Sequence, residues 1–260
     1  INNDALTNLA GAASLFLIVR TLQEGELSRR AMIWNMVVVF AGVFSKLSLA
    51  PLALLLFALT LWKGLRHWRW ISLTLIPILA GVVVLALHNI HVYHDATAFS
   101  YMKKAWYADQ HRFFFSLSGL ADWFRALLES YWARFGHANI VLPRIYYTLI
   151  TFIAVVGAAG LALFGIRDFK KQNMATRRSL AATALVALIL FVGTFVYSLT
   201  FYQPQGRYLF PAIGAFSIVF TLGIRTVVPL RLRIPALALL LAFLLLLDIK
   251  SAILIWSTVG

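Results

Sequence analysis

From Ala236 to Leu247 every residue is alanine, leucine or phenylalanine, and the apolar character carries on to Trp256 with little interruption. A run of that length approaches the roughly 20 residues an α-helix needs to cross a hydrocarbon core of about 30 Å. Comparable runs recur along the chain between short charged breaks. Lipid cannot hydrogen-bond an open backbone, so each run reads as a helix and each break as a loop. About eight spans result, near residues 5–22, 31–45, 48–63, 70–88, 142–165, 179–201, 207–224 and 234–257. Composition agrees, with 62% hydrophobic and only 12% charged residues, where soluble domains carry roughly a quarter charged. The expected fold is all-α and polytopic. No repeat, glycine-serine linker or charge run divides residues 1–260, which read as one membrane domain.

The net charge of +14 would suit a polyanion, but the basic residues sit between apolar runs, an arrangement set by cytoplasmic loops and anionic headgroups rather than by nucleic acid. One set of short loops holds Arg20, Arg29 and Arg30; Lys63, Arg66 and Arg69; Arg167, Lys170, Lys171, Arg177 and Arg178; and Arg225, Arg231 and Arg233. The opposite set is diluted by Asp95, Asp109, Asp122 and Glu129. The first set is therefore expected on the cytoplasmic side, with residues 1–4, 89–141 and 203–207 outside.

The long outer segment from about 89 to 141 is rich in aromatics, including Trp106, Phe113 to Phe115, Trp123, Tyr131 and Trp132. From Leu120 to Phe135, apolar residues recur at three- and four-residue spacing opposite Asp122, Arg125 and Glu129, which predicts an amphipathic helix in the outer interface. The second span is short, about 22 Å over fifteen residues, and Lys46 ends it. A tight outer turn follows, with Ser48 expected to cap the next helix and Pro51 in its first turn.

Several polar residues at the outer helix mouths can carry chemistry. Arg207, in Gln205-Gly206-Arg207-Tyr208-Leu209-Phe210-Pro211, offers a fixed guanidinium fork to a phosphate, or anchors its helix in the interface. Asp4 can cap the first helix, or face a cavity and hold a metal or an acceptor hydroxyl. Lys46 lies between two apolar helices and either snorkels or takes an acidic or phosphate partner. His88, His91, His94 and Asp95 follow an H-x-x-H-x-x-H-D pattern that can ligate a divalent metal or simply mark a solvated helix end. Asp248 and Lys250 interrupt the last span two residues apart, so they point to different helix faces and are expected to pack against other spans. There are no cysteines, and no nucleophile elbow, phosphate loop or zinc-protease motif occurs.

Asn2-Asn3-Asp4-Ala5-Leu6, Ser130-Tyr131-Trp132-Ala133-Arg134-Phe135-Gly136 and the Gln205 to Pro211 segment, together with Ser45-Lys46-Leu47-Ser48, resemble a bacterial family of membrane proteins. It is catalogued as domain of unknown function 2142 and grouped with the C-type, polyprenyl-phosphate-sugar-dependent membrane glycosyltransferases. The resemblance implies a partial C-type glycosyltransferase-like fold. It implies transfer of a sugar from a polyprenyl-phosphate carrier to a glycan or lipid acceptor of the cell envelope, sometimes with a divalent metal such as magnesium or manganese. It makes Asp4 the second outer acidic position, Lys46 and Arg207 the cations on carrier phosphate, and Tyr208 and Gln205 groups that orient it. Asp4, His91 and His94 are the metal candidates. Such enzymes place their main acidic residue in a first outer loop. The chain opens on Ile1 without a signal-like start, so it is expected to begin in mid-protein, after the N-terminal spans and that loop. A transporter or lipid flippase using Lys46 and Asp248, or a noncatalytic subunit of an envelope-synthesis complex, are the competing expectations.

Overall fold

A computed structural model of the chain describes residues 4–64, 68–105, 116–132, 134–135 and 140–259. Asn2, Asn3, Arg66, Trp106, Asp109, Arg112, Phe113 to Phe115, Ala133 and Gly136 lie outside the described residues. The described residues form helices α1 (Asp4–Gln23), α2 (Arg29–Ser45), α3 (Ala50–Gly64), α4 (Trp68–Tyr93), α5 (Phe99–Ala105), α6 (Leu117–Trp132), α7 (Arg144–Arg167), α8 (Met174–Thr200), α9 (Ile213–Val227) and α10 (Arg233–Val259). Their one strand pair, β1 (Arg134–Phe135) with β2 (Ile140–Val141), is antiparallel, with Arg134 opposite Val141.

Among the described residues six segments are long and apolar enough to cross a membrane: Asp4–Gln23, Leu75–Tyr93, Arg144–Arg167, Met174–Thr200, Gly206–Val227 and Leu230–Thr258. The protein is accordingly a membrane-embedded, all-helical one. The expected spans at 31–45 and 48–63 appear as α2 and α3, with 17 and 15 residues, and these fall short of the length that marks the other six. They form an antiparallel hairpin, since Gly42 of α2 faces Ala53 of α3 and Gly64 at the far end of α3 lies on Met32 near the start of α2.

Polar signals in the sequence set the helix ends. The Ser28 hydroxyl accepts the Ala31 N–H at 3.2 Å to start α2, and Asn173 accepts that of Thr176 at 2.8 Å to start α8. At the hairpin tip Lys46 is extended, and its carbonyl accepts the Leu49 N–H at 2.9 Å, opening a 3-10 turn (Leu47–Leu49) that leads into α3. The expected Ser48 cap is not made. Its hydroxyl oxygen is buried without a partner, because the 3-10 turn takes over the task of starting the helix. Pro51 sits in the first turn of α3, where its missing N–H is not needed.

The core runs between α1, α2, α3 and α8 around Ile18, Leu49, Leu52, Leu56 and Val186, all at most 1% exposed. One polar knot lies within it. The Asn35 amide donates to Thr21 at 3.1 Å and to Thr60 at 2.9 Å, and Thr60 donates to the Leu56 carbonyl at 2.7 Å. The two Asn35 bonds tie α2 to α1 and to α3, helices that lipid alone would not hold in register. On the other flank, α7 and α9 meet through Gly157, Gly160 and Gly223, where a Cβ on Gly160 or Gly223 would overlap the facing backbone. α10 leans on this flank through Leu247, with Phe243 and Leu254 against Leu142 and Ile150. Asp248 and Lys250 are both exposed on α10 and meet no other span among the described residues. Their expected packing does not occur because the helix turns Leu247 and Ser251 inward.

The outer segment differs from its expected form in three places. α4 continues to Tyr93, the short α5 follows, and α6 begins at Leu117 and stops at Trp132, leaving Phe135 in β1. The Asp95 carboxylate accepts the N–H groups of Thr97 and Ser100 at 2.9 and 2.8 Å and both their hydroxyls at 2.8 Å, starting α5. Those four bonds hold its carboxyl far below the usual carboxylate range. α6 is amphipathic as its spacing predicts: Trp123 is fully buried and Leu127 nearly so, while Asp122 and Arg125 pair at the surface at 2.9 Å.

Gly160→Leu should separate α7 from α9. We expect a loss of at least about 1–3 kcal/mol, the range for overpacked sites, read as earlier thermal unfolding in detergent, while Gly165→Leu, at an open position, leaves the transition unchanged.

Candidate functional site

The segment between α8 and α9 is held on two sides by backbone-to-backbone approach. Gly206 packs on the main chain of Tyr131 in α6, and Gly11 of α1 packs on the Pro211 carbonyl; a Cβ at either glycine would overlap those atoms. Ser130 adds a clamp. Its hydroxyl accepts the Gly206 N–H at 2.7 Å and has the Pro204 carbonyl at 3.0 Å to donate to. The segment then winds as a 3-10 helix (Gly206–Ala212) into α9. Its position is fixed by α1 and α6 before any ligand arrives.

That fixing delivers Tyr208 to the hairpin tip. The Lys46 ammonium lies 5.6 Å from the centre of the Tyr208 ring, and the Arg207 guanidinium lies 5.6 Å from the same centre. An electron-rich ring can hold both cations near one point. Tyr208 donates its hydroxyl to Gln203 at 2.9 Å and meets Tyr197 edge-on at 5.3 Å. Lys46 also donates to the Asp4 carboxylate at 2.5 Å, and both side chains are about a quarter exposed, at 26% and 25%. Lys46 thus takes an acidic partner, and Asp4 meets a lysine. Arg207 is exposed and makes no ion pair or hydrogen bond among the described residues.

Beside this cluster lies a cavity of about 550 Å³, lined at one end by Lys46, Ser48, Tyr197 and Tyr208 and elsewhere mostly by apolar groups such as Leu54, Leu190 and Val196. Ser48 borders it, with its unpartnered hydroxyl oxygen itself buried away from the opening. α5 reaches it through Met102, and is anchored nearby by Phe99 packing edge-on against Phe201 at 5.8 Å. A second, almost wholly apolar cavity of about 250 Å³ opens between α6 and α9, walled by Tyr131, Leu209 and Phe216 among others. Burial pushes the Tyr131 hydroxyl up to about 12, so it stays neutral.

Of the residues singled out in the sequence, Asp4, Lys46, Arg207 and Tyr208 come together. Gln205 contributes through its backbone, its carbonyl accepting the Tyr208 N–H at 3.2 Å, and the side chain that holds the Tyr208 hydroxyl is Gln203. His88 and His91 lie on α4 and His94 beyond its end with φ 57°, while Asp95 is committed to α5. Among the described residues no group of three or more His, Asp or Glu converges, so the candidates Asp4, His91 and His94 do not form a common ligand set and no step is assigned to a divalent ion. Asp248 takes no part in the Lys46 cavity. Tyr197 and Gln203 join the site without a motif to announce them; Ser130 and Ser48 are signalled only by their places in the Ser130 to Gly136 and Ser45 to Ser48 stretches. The chain matches no family model, no curated protein and no solved structure.

The Asp4–Lys46 pair lends itself to a double-mutant cycle with Asp4→Asn and Lys46→Met. We expect a coupling energy on the order of 1 kcal/mol, above a fully exposed pair and below a buried one, measured from denaturant midpoints in detergent; strictly additive effects would show that the two side chains do not support each other.

Proposed function

We propose that this protein is a membrane glycosyltransferase that moves a sugar from a polyprenyl-phosphate carrier to an envelope glycan or lipid acceptor on the outer face of the bacterial inner membrane. The observation that carries the reading is the shape and chemistry of the Lys46 cavity. The Lys46 ammonium and two tyrosines share it with mostly apolar walls, a match for a lipid with one anionic head and a hydrocarbon tail. In this reading the α2–α3 hairpin counts as two spans, which gives eight, and the short basic loops face the cytoplasm.

The roles follow from the geometry. Among the described residues Arg207 makes no ion pair or hydrogen bond, so it meets carrier phosphate first. Lys46 is shared: its ammonium serves Asp4 in the resting state and turns to phosphate when the carrier binds. The charge that develops on the leaving phosphate is then met by Lys46 at the cavity and by Arg207, which lies against the same Tyr208 ring. As Lys46 turns away, the Asp4 carboxylate accepts a hydrogen bond from an acceptor hydroxyl in its place. Tyr208, held by Gln203, keeps both cations close together.

Membranes carrying the protein, supplied with radiolabelled polyprenyl-phosphate sugars, test this. Arg207→Ala should lower transfer about 10²-fold, as for other lost charge-stabilising donors, and Asp4→Asn should lower it with carrier binding intact. Unchanged transfer in both variants would remove the site assignment, and carrier bound but only translocated would favour a flippase. Topology is tested separately on the cysteine-free chain: Ser116→Cys should react with an impermeant maleimide on intact spheroplasts, and Gln172→Cys only after the membrane is opened.

A further inference from the structure

α1 carries Asp4 at one end and Arg20 near the other, about 24 Å away at helical rise. There, where α1 gives way to α2, a second polar cavity of about 220 Å³ is lined by Arg20, Ser28, Arg30, Ala31 and Trp34. None of these residues borders the Lys46 cavity. Arg20 donates its Nε proton to Glu24 at 2.6 Å, a bond that leaves both terminal amino groups of the guanidinium uncommitted to it. Arg30 is exposed and makes no hydrogen bond or ion pair among the described residues. The Ser28 hydroxyl accepts the Ala31 N–H and keeps its own proton to donate, but the charge of the cavity is that of its two guanidinium groups. Trp34 is 53% exposed, and Ile33, Val37 and Phe40 continue from it as an exposed apolar strip along α2.

We propose that this cavity binds the phosphate headgroup of an anionic phospholipid, with an acyl chain laid along the strip from Trp34 to Phe40. Guanidinium groups suit phosphate in charge and in donor geometry. An exposed tryptophan next to them marks the level of the headgroups. The apolar strip separates a lipid from a free phosphate as the occupant, because only the lipid uses it. Glu24 limits the affinity by holding one Arg20 donor, and its neutralisation strengthens binding.

Native mass spectrometry of the purified full chain in detergent, titrated with phosphatidylglycerol, phosphatidylcholine and glycerol 3-phosphate, decides the matter. We expect phosphatidylglycerol to bind in preference to phosphatidylcholine. Each arginine should contribute about fivefold, so Arg20→Gln with Arg30→Gln weakens phosphatidylglycerol roughly 20- to 30-fold, and Glu24→Gln tightens it. Lys170→Gln with Arg178→Gln removes the same charge at the same face, which Gln23 bonded to Ser179 at 2.7 Å identifies, and should leave binding within about twofold of wild type. Equal losses in the two double variants would mean a general attraction to charge, and no loss on removing Arg20 and Arg30 would remove the site; either overturns the proposal. So does glycerol 3-phosphate binding as tightly as the lipid. If the Arg20, Arg30 variant fails to fold, Arg30→Gln alone, at an exposed position, carries the test with a loss of about fivefold.

Discussion

The contact of the Gly206–Ala212 turn with α1 and α6 governs where every charged group of the candidate site can be. Gly11 and Gly206 let main chain lie against main chain, and the Ser130 hydroxyl ties the turn to α6 at the Gly206 N–H. Tyr208 and Arg207 follow immediately in the chain and have little freedom once the turn is seated. Tyr208 then locates Lys46, which in turn holds Asp4. A side chain at Gly206 or Gly11 would push the turn away from α6 or α1, and the site would open from its foundation rather than at its surface.

Why charged groups are tolerated here is a matter of depth and partner. A lysine at the centre of a bilayer costs roughly 2.5 to 3.5 kcal/mol on insertion scales. Lys46 avoids that by standing at a hairpin tip, three-quarters buried but paired with a carboxylate and close to an aromatic face. A pair of this kind is worth most to function when it can be exchanged. In the function proposed, a phosphate offers Lys46 the same charge complement that Asp4 does, so binding of the carrier need not strip the ammonium bare.

The elements that were legible in the sequence are those fixed by lipid. The spans match their apolar runs within a few residues because an open backbone in hydrocarbon has no other solution, and the amphipathic spacing of α6 gave its buried face, Trp123 and Leu127, directly. Asp4, Lys46 and Arg207 were visible as charges at helix mouths on one side. What stayed hidden depended on contacts between distant segments. Nothing local distinguishes Gln203 from Gln205; only the 3-10 turn decides which side chain reaches the Tyr208 hydroxyl. Ser48 reads as a cap by spacing, and the turn starting at Lys46 displaces it from that role. The histidine run was legible as a pattern but not as a site, since a helix end and the demands of Asp95 on α5 disperse it.

The interior below the Lys46 cavity bears on whether chemistry occurs at one face or cargo crosses the protein. Along α3 from the hairpin tip come Leu49, Leu52 and Leu56, none of them exposed at all, with Ile18 of α1 in the same core at 1%. Beyond them Asn35 bonds to Thr21 and Thr60, and Thr60 to the Leu56 carbonyl. A polar headgroup moving inward along this route would have to part a leucine core about 10 Å deep along the helix and then break these bonds, at a cost with no compensating partner among the leucines. The Asp248 that a polar pathway would use stands on the far flank, outside this core. For the function proposed, a closed apolar core beneath the Lys46 cavity favours reaction at one membrane face over passage between the two.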